Sequence, residues 1–158
     1  MDNQRILDFV SAANDIGNYG LVRGSSGNLS YRLDDETMLI SASRTWLAEL
    51  GPDDVAICKI SDGTAINAKR PSVETSFHAG ALRQRDAINV VLHFQSTAAT
   101  AIACLKPDTY DFNLIPEIPY YIGSIGFIPY IRPGSAELAE AVNDKITQHD
   151  LLILANHG

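Results

Sequence analysis

Three short apolar runs limit the fold of this 158-residue chain more than any other feature: VAICKI at 55–60, INVVLHF at 88–94 and LLILA at 151–155. Each has strand length, is bounded by polar or turn-forming residues, and reads as a buried strand. Helical patterns separate them. Ile6, Phe9, Val10 and Ala13 fall at helical spacing within 2–19, and Gly17 and Gly20 lie near that helix's end. In KRPSVETSFHAGALRQRD, Pro71 biases the residues before it away from helix, Ser72 is a good N-cap, and a helix is expected to run to about Gln84. STAATAIACL reads as a small-residue helix, and Ser135 opens another over AELAEAVNDKIT. Near the start, GSSGNLSYR turns into a strand at about 28–33, and Asp34 and Asp35 lead to a second strand, MLIS, so 28–41 resembles a hairpin. A Pro-rich connection occupies 106–134. Strands alternating with helices, plus one hairpin, imply a helix-covered mixed sheet in a single domain. LLILA ends in a polar NHG turn at the last residue. A core strand is ordinarily covered by the element after it, so further C-terminal elements are expected.

Composition narrows the function. Hydrophobic residues make up 46% and charged residues 20%, an ordinary soluble globular balance. The net charge of −7 argues against a broad nucleic-acid surface, which needs a basic footprint. Small anions stay possible, because a few N–H groups or one Arg can hold a phosphate. No apolar run approaches the roughly 20 residues that span a bilayer, and MDNQRILDFV lacks the basic-then-apolar order of a secretory signal. Cys58 and Cys104 sit among apolar neighbours. Two such thiols fit a reduced, cytoplasmic protein better than a disulfide framework.

The polar residues that could carry chemistry sit at turns and strand ends, where open α/β sheets gather ligands. His93 and His157 each close an apolar strand, and Gln95 points to the same side as His93 if the strand continues. Glu74 falls in the first turn of a predicted helix, where the helix dipole alone favours an acid by about 0.3–1 kcal/mol. His78 lies one turn further along the same face, placed either to orient Glu74 or simply to pack. GSSGN at 24–28 is a Gly-rich turn of a common kind.

Taken in order, these residues resemble the class II aldolase and adducin N-terminal family, which includes fuculose-phosphate and rhamnulose-phosphate aldolases and ribulose-phosphate 4-epimerase. Gly24-Ser25-Ser26-Gly27-Asn28-Leu29-Ser30 is similar to its G-[ST]-x-G-N-[LV]-S turn. Ser41-Ala42-Ser43 is similar to part of T-P-[ST]-G, Pro71-Ser72-Val73-Glu74 to P-S-S-E, and His157-Gly158 to a final H-G. The resemblance implies a three-layer α/β/α fold around a central mixed, largely antiparallel sheet. It implies a divalent metal, zinc by family, held by an H-x-H strand and a later His, which stabilises the enediolate left when a carbon–carbon bond breaks. Carried over, His93, Gln95 and His157 become the metal positions and Glu74 the acid/base. Ser25, Asn28, Ser43 and Ser72 become the phosphate contacts, with Arg44 beside them. A Tyr from a neighbouring subunit serves as proton donor in the family's tetrameric aldolases, whose active sites lie between subunits. Tyr120 is the candidate here, with Tyr121 next to it and Tyr110, Tyr130 and Glu117 nearby.

The chain departs from the pattern at three places. Gln95 replaces the second His of H-x-H, and an amide oxygen is a harder, neutral ligand better suited to Mn²⁺ or Mg²⁺ than to Zn²⁺. Val73 removes a hydroxyl, and Arg44 stands for a Gly, offering a charged fork suited to a carboxylate or phosphate. The expectation is therefore an oligomeric aldolase-type lyase acting on a small sugar-phosphate-like compound. The alternatives are a non-catalytic module like the adducin head, or an epimerase.

Overall fold

The computed structural model describes residues 3–105 and 111–158. Tyr110 lies outside them. Helix α1 (Asn3–Asn18) is followed by strands β1 (Gly27–Arg32), β2 (Thr37–Ser41) and β3 (Val55–Lys59), then α2 (Thr75–Gln84), β4 (Val90–Phe94) and α3 (Thr97–Ala103). A π-type turn at Ile118–Ile122 precedes β5 (Ile125–Ile128), α4 (Ala136–Lys145) and β6 (Leu151–Leu154). Strands β3-β2-β1-β4 form one antiparallel sheet, and β5 and β6 form a parallel pair.

The period-2 alternation of a strand makes the layers. Leu39, Val55 and Ile57 face one way and pack with Phe9 and Ala13 of α1. Met38, Ile40, Ala56 and Cys58 face the other way and pack with Ala79 and Leu82 of α2. Burial pushes the Cys58 thiol up to about 11, which leaves it an unreactive core residue. A third cluster joins Phe77 of α2 to Leu138 and Val142 of α4 and to Ile128 and Leu154. There α2 and α4 cross so closely that a Cβ on Gly80 would fall 2.0 Å from Asn143 Oδ1. The expected α/β/α layering, largely antiparallel sheet and β1–β2 hairpin are present, and Ser135 caps α4 by accepting from the Leu138 N–H at 3.1 Å. Among the described residues no helix is long and apolar enough to cross a membrane.

Two expectations need correction. The second helix begins at Thr75, and its N-cap is Glu74 rather than Ser72. Ser72 instead accepts from the Glu74 N–H at 3.2 Å, forming a hydroxyl turn one step before the helix. The Pro-rich connection also contains a strand, β5, which a four-residue IGFI segment between prolines concealed.

Candidate metal centre and active site

Antiparallel pairing sets the site. β1 begins where β2 and β4 end, so Gly27, Ser41 and Phe94 lie at one end of the sheet. Asn28 stands directly opposite His93, and side chains opposite one another share a face. Ser30, two residues on, joins that face, the one that α2 covers. At the start of α2, its N-cap Glu74 and His78 are one turn apart and look down on the same strands.

The loops around this end are joined through their backbones. Ala42 bridges to Pro71, the Ser43 N–H donates to Arg70 O at 2.9 Å, and the Ser72 N–H donates to Ser41 O at 3.3 Å. Gly24 lies against the Trp46 ring. Thus the three segments expected to hold phosphate (24–28, 41–44 and 71–74) lie at one end of the sheet. Ser25 is exposed, Ser43 half-buried and Ser72 buried. Arg44 is exposed and has a left-handed backbone, φ 69°. Among the described residues no hydrogen bond or ion pair engages its guanidinium.

His157 arrives from the other side. After β6 the chain turns through Asn156, whose φ of 57° is left-handed, a conformation Asn tolerates. The Asn156 N–H donates to Ala103 O at 2.8 Å and the His157 N–H to Leu154 O at 3.0 Å, which pins the turn to the end of α3. Glu74, His93 and His157 therefore converge, each offering one ligand atom, all within 4.8 Å of one another. Glu74 Oε2 is 3.6 Å from His93 Nε2, and Oε1 is 3.7 Å from His157 Nε2. The side chains are 10% (His93), 11% (His157) and 5% (Glu74) exposed.

These residues fit a divalent cation. Two ligands, each about 2.1 Å from a tetrahedral centre, stand about 3.4 Å apart, and the ligand atoms of His93 and His157 lie within 4.8 Å of one another, near enough to share one ion after a small adjustment. Burial, helped by His157, lowers the His93 pKa despite the opposing pull of Glu74, so its imidazole is neutral and keeps a lone pair. The Nδ1 of His157 is buried without a partner among the described residues.

Gln95 sits one residue beyond β4, its Cγ 3.2 Å from where a Cβ on Gly158 would be. No hydrogen bond engages its amide among the described residues. The structure does not bring Tyr120 to the cluster: the residue is 81% exposed and its ring meets Tyr121 edge-on. Tyr130 and Glu117 are also exposed.

The Class II Aldolase and Adducin N-terminal domain model matches residues 8–158. This chain belongs to that family. A 3-oxo-tetronate 4-phosphate decarboxylase of Pectobacterium atrosepticum is 36% identical over 143 residues, covering 88% of this chain and 65% of the relative, so the chain spans about two-thirds of that protein's length. An L-fuculose phosphate aldolase of Methanococcus maripaludis is 30% identical over 153 residues, covering 97% of this chain and 81% of the relative. The crystal structure of YgbL from Klebsiella pneumoniae superposes with a TM-score of 0.89 at 27% identity, covering 100% of this chain and 78% of the other.

Buried Ser30 was overlooked in the sequence, although its alternation with Asn28 along β1 places both on the face toward α2. Its hydroxyl meets His78 Nδ1 at 2.7 Å.

Proposed function

We propose that this domain is a divalent-metal-dependent lyase that breaks a carbon–carbon bond in a small, phosphorylated, sugar-like substrate. The convergence of Glu74, His93 and His157 carries the reading. His93 and His157 would hold the ion, with the Gln95 amide at the strand end as a further oxygen donor. Two imidazoles with oxygen donors make a harder set than three imidazoles, which admits Mn²⁺ or Mg²⁺ beside the family's Zn²⁺. Bound there, the cation would offset negative charge developing on the substrate's oxygens by several kcal/mol.

This chain's own residues do the rest. Glu74 moves the proton, held in reach by the Asn28 amide, which donates to Oε2 at 2.8 Å. Ser25, Ser43 and Ser72, with turn N–H groups and the second N–H of Asn28, take the phosphate, and Arg44 adds charge at its edge. Tyr120 donates a proton from a neighbouring subunit of a tetramer.

Cleavage of an aldol and loss of CO₂ from a 3-oxo acid both leave a carbon–oxygen system bearing negative charge. The 36% identity to a decarboxylase supports testing both reactions. Protein purified without chelators is analysed for metals as wild type, His93→Ala and Gln95→His, then assayed for CO₂ release from 3-oxo-tetronate 4-phosphate and for aldehyde release from fuculose 1-phosphate. Near-stoichiometric metal lost in His93→Ala, with turnover of either compound, is the expected result. A wild type with neither metal nor turnover replaces this reading with a non-catalytic interaction module.

A further inference from the structure

Behind Glu74 and Asn28 the buried polar chain continues to two residues that the chemistry above does not use, His78 and Ser30. Asn28 Nδ2 donates to Glu74 Oε2 at 2.8 Å, Asn28 Oδ1 meets His78 Nε2, and His78 Nδ1 meets Ser30 Oγ at 2.7 Å. His78 and Ser30 are 0% exposed, and Asn28 is 9% exposed. His78 also stacks on Phe77, ring centroids 4.8 Å apart and planes 18° from parallel.

Only one direction of hydrogen bonding satisfies every member. An ionised carboxylate accepts and cannot donate, so the amide must turn its N–H₂ toward Glu74. The amide oxygen then faces His78, whose Nε2 must carry the proton. A neutral imidazole protonated at Nε2 has a bare Nδ1, which accepts from the Ser30 hydroxyl. Burial agrees, since it lowers the His78 pKa to about 3 and keeps the ring neutral.

We infer that Ser30 and His78 form a one-way hydrogen-bond chain that locks the Asn28 amide and, through it, holds the Glu74 carboxylate between His93 and His157. His78 is thus a positioning residue: it touches neither the substrate nor the ion, and it acts through Asn28. The inference rests on Glu74 being the working carboxylate of the proposed function. His78 is well placed for this role because its own position is fixed independently by Ser30, by the Phe77 ring and by the close packing of α2. A helix residue free to change rotamer could not hold the amide.

The imidazole ¹⁵N spectrum of the wild-type protein, with His78 assigned by comparison with His78→Gln, tests the direction without any turnover. A protonated Nε2 and bare Nδ1 are expected. The opposite tautomer would require the amide to present its oxygen to Glu74, and it overturns the inference. His78→Gln keeps a donor at the Nε2 position, whereas His78→Phe keeps the shape and removes it. The side-chain amide signal of Asn28 should stay single and sharp in His78→Gln and broaden or shift in His78→Phe. Turnover should fall about tenfold or more in His78→Phe with KM little changed, and recover most of that in His78→Gln. Equal turnover in the two variants makes His78 a packing residue and overturns the role. Absence of turnover in the wild type sinks the proposed function instead and leaves the spectrum to decide the chain's direction.

Discussion

The two halves of this molecule are built differently, and the candidate site straddles them. In the four-stranded half, Met38, Leu39 and Ile40 of β2 are 0% exposed, because α1 covers one face and α2 the other. In the β5–β6 half, Leu151 and Leu152 are only half-buried, and the pair is held mainly through the α2–α4 crossing and an ion pair between Arg85 and Asp150. Between the halves lies a cleft of about 560 Å³ lined by Val90 to Phe94 of β4 and Leu151 to Leu154 of β6. Consecutive rather than alternate residues line it, so it is bordered by strand edges rather than by one face of a sheet. Asn28, Glu74 and His93 belong to the sealed half, and His157 reaches them from the open one. Three of these four groups are therefore placed within the sealed half, by its packing and its buried hydrogen bonds, while the fourth depends on how well the halves stay together.

The largest expected effect tests the difference in packing. Leu82→Ala opens a cavity between α2 and the sealed sheet and should cost about 2–5 kcal/mol in urea unfolding. Leu151→Ala, at the open cleft, should cost well under half of that. Equal losses would mean that both halves unfold as one tightly packed unit and would erase the contrast. Next comes the ion. A cation held by His93 and His157 would tie the halves, and at about a hundredfold excess over its Kd it should stabilise the fold by about 2.7 kcal/mol. Amide exchange in β6 should slow with it, and both effects should vanish in His157→Ala. Protection confined to β4 would show that His157 is not a ligand.

A smaller effect per step concerns pH within the sealed half. The folded-state pKa of His78 lies near 3, below its ordinary value of 6.5. The unfolded chain therefore binds the extra proton first as pH falls. The contribution is complete above about pH 6.5, declines by about 1.4 kcal/mol per unit below it, and is lost as pH approaches 3. His93, also lowered, adds in the same direction. His78→Gln should flatten the dependence of urea midpoint on pH between 6 and 4; an unchanged slope would assign acid sensitivity to other groups.

Much of this was legible in the sequence, for reasons that follow the same division. The centre of the four-stranded half announces itself, because β2 and β3 are covered on both faces and are largely apolar, and the β1–β2 hairpin is local. Glu74, His93 and His157 stand at strand and helix ends, but position alone fits a capped helix and packed histidines equally well, and only the resemblance to the family gave them roles. β5 was hidden, since IGFI owes its strand pairing to distant β6 rather than to its own short sequence. Ser30 was hidden because a serine in a strand is unremarkable until the register puts it beneath His78. The start of α2 was misplaced by one hydroxyl: Ser72 does bond a nearby N–H, but three residues before the helix begins, which moves Glu74 from the first turn to the cap itself. At that position its carboxylate projects over the strand ends instead of along the helix.

Arg44 offers the smallest and sharpest separation of stability from function. Its φ of 69° is a conformation that glycine adopts freely and a β-carbon resists, and the T-P-[ST]-G pattern that this segment resembles has glycine there. Arg44→Gly should relieve that strain by about 1 kcal/mol, less the extra freedom glycine gives the unfolded chain, so the net gain in urea unfolding is about 0.5 kcal/mol. If the arginine is kept for an anion, the same variant should bind inorganic phosphate more weakly, by about tenfold for one lost charged contact. Rising stability with falling affinity is the pattern of a residue that serves a ligand at the expense of its own backbone. Rising stability with unchanged phosphate affinity would leave Arg44 a surface residue and place anion recognition on Ser25, Ser43 and Ser72 alone.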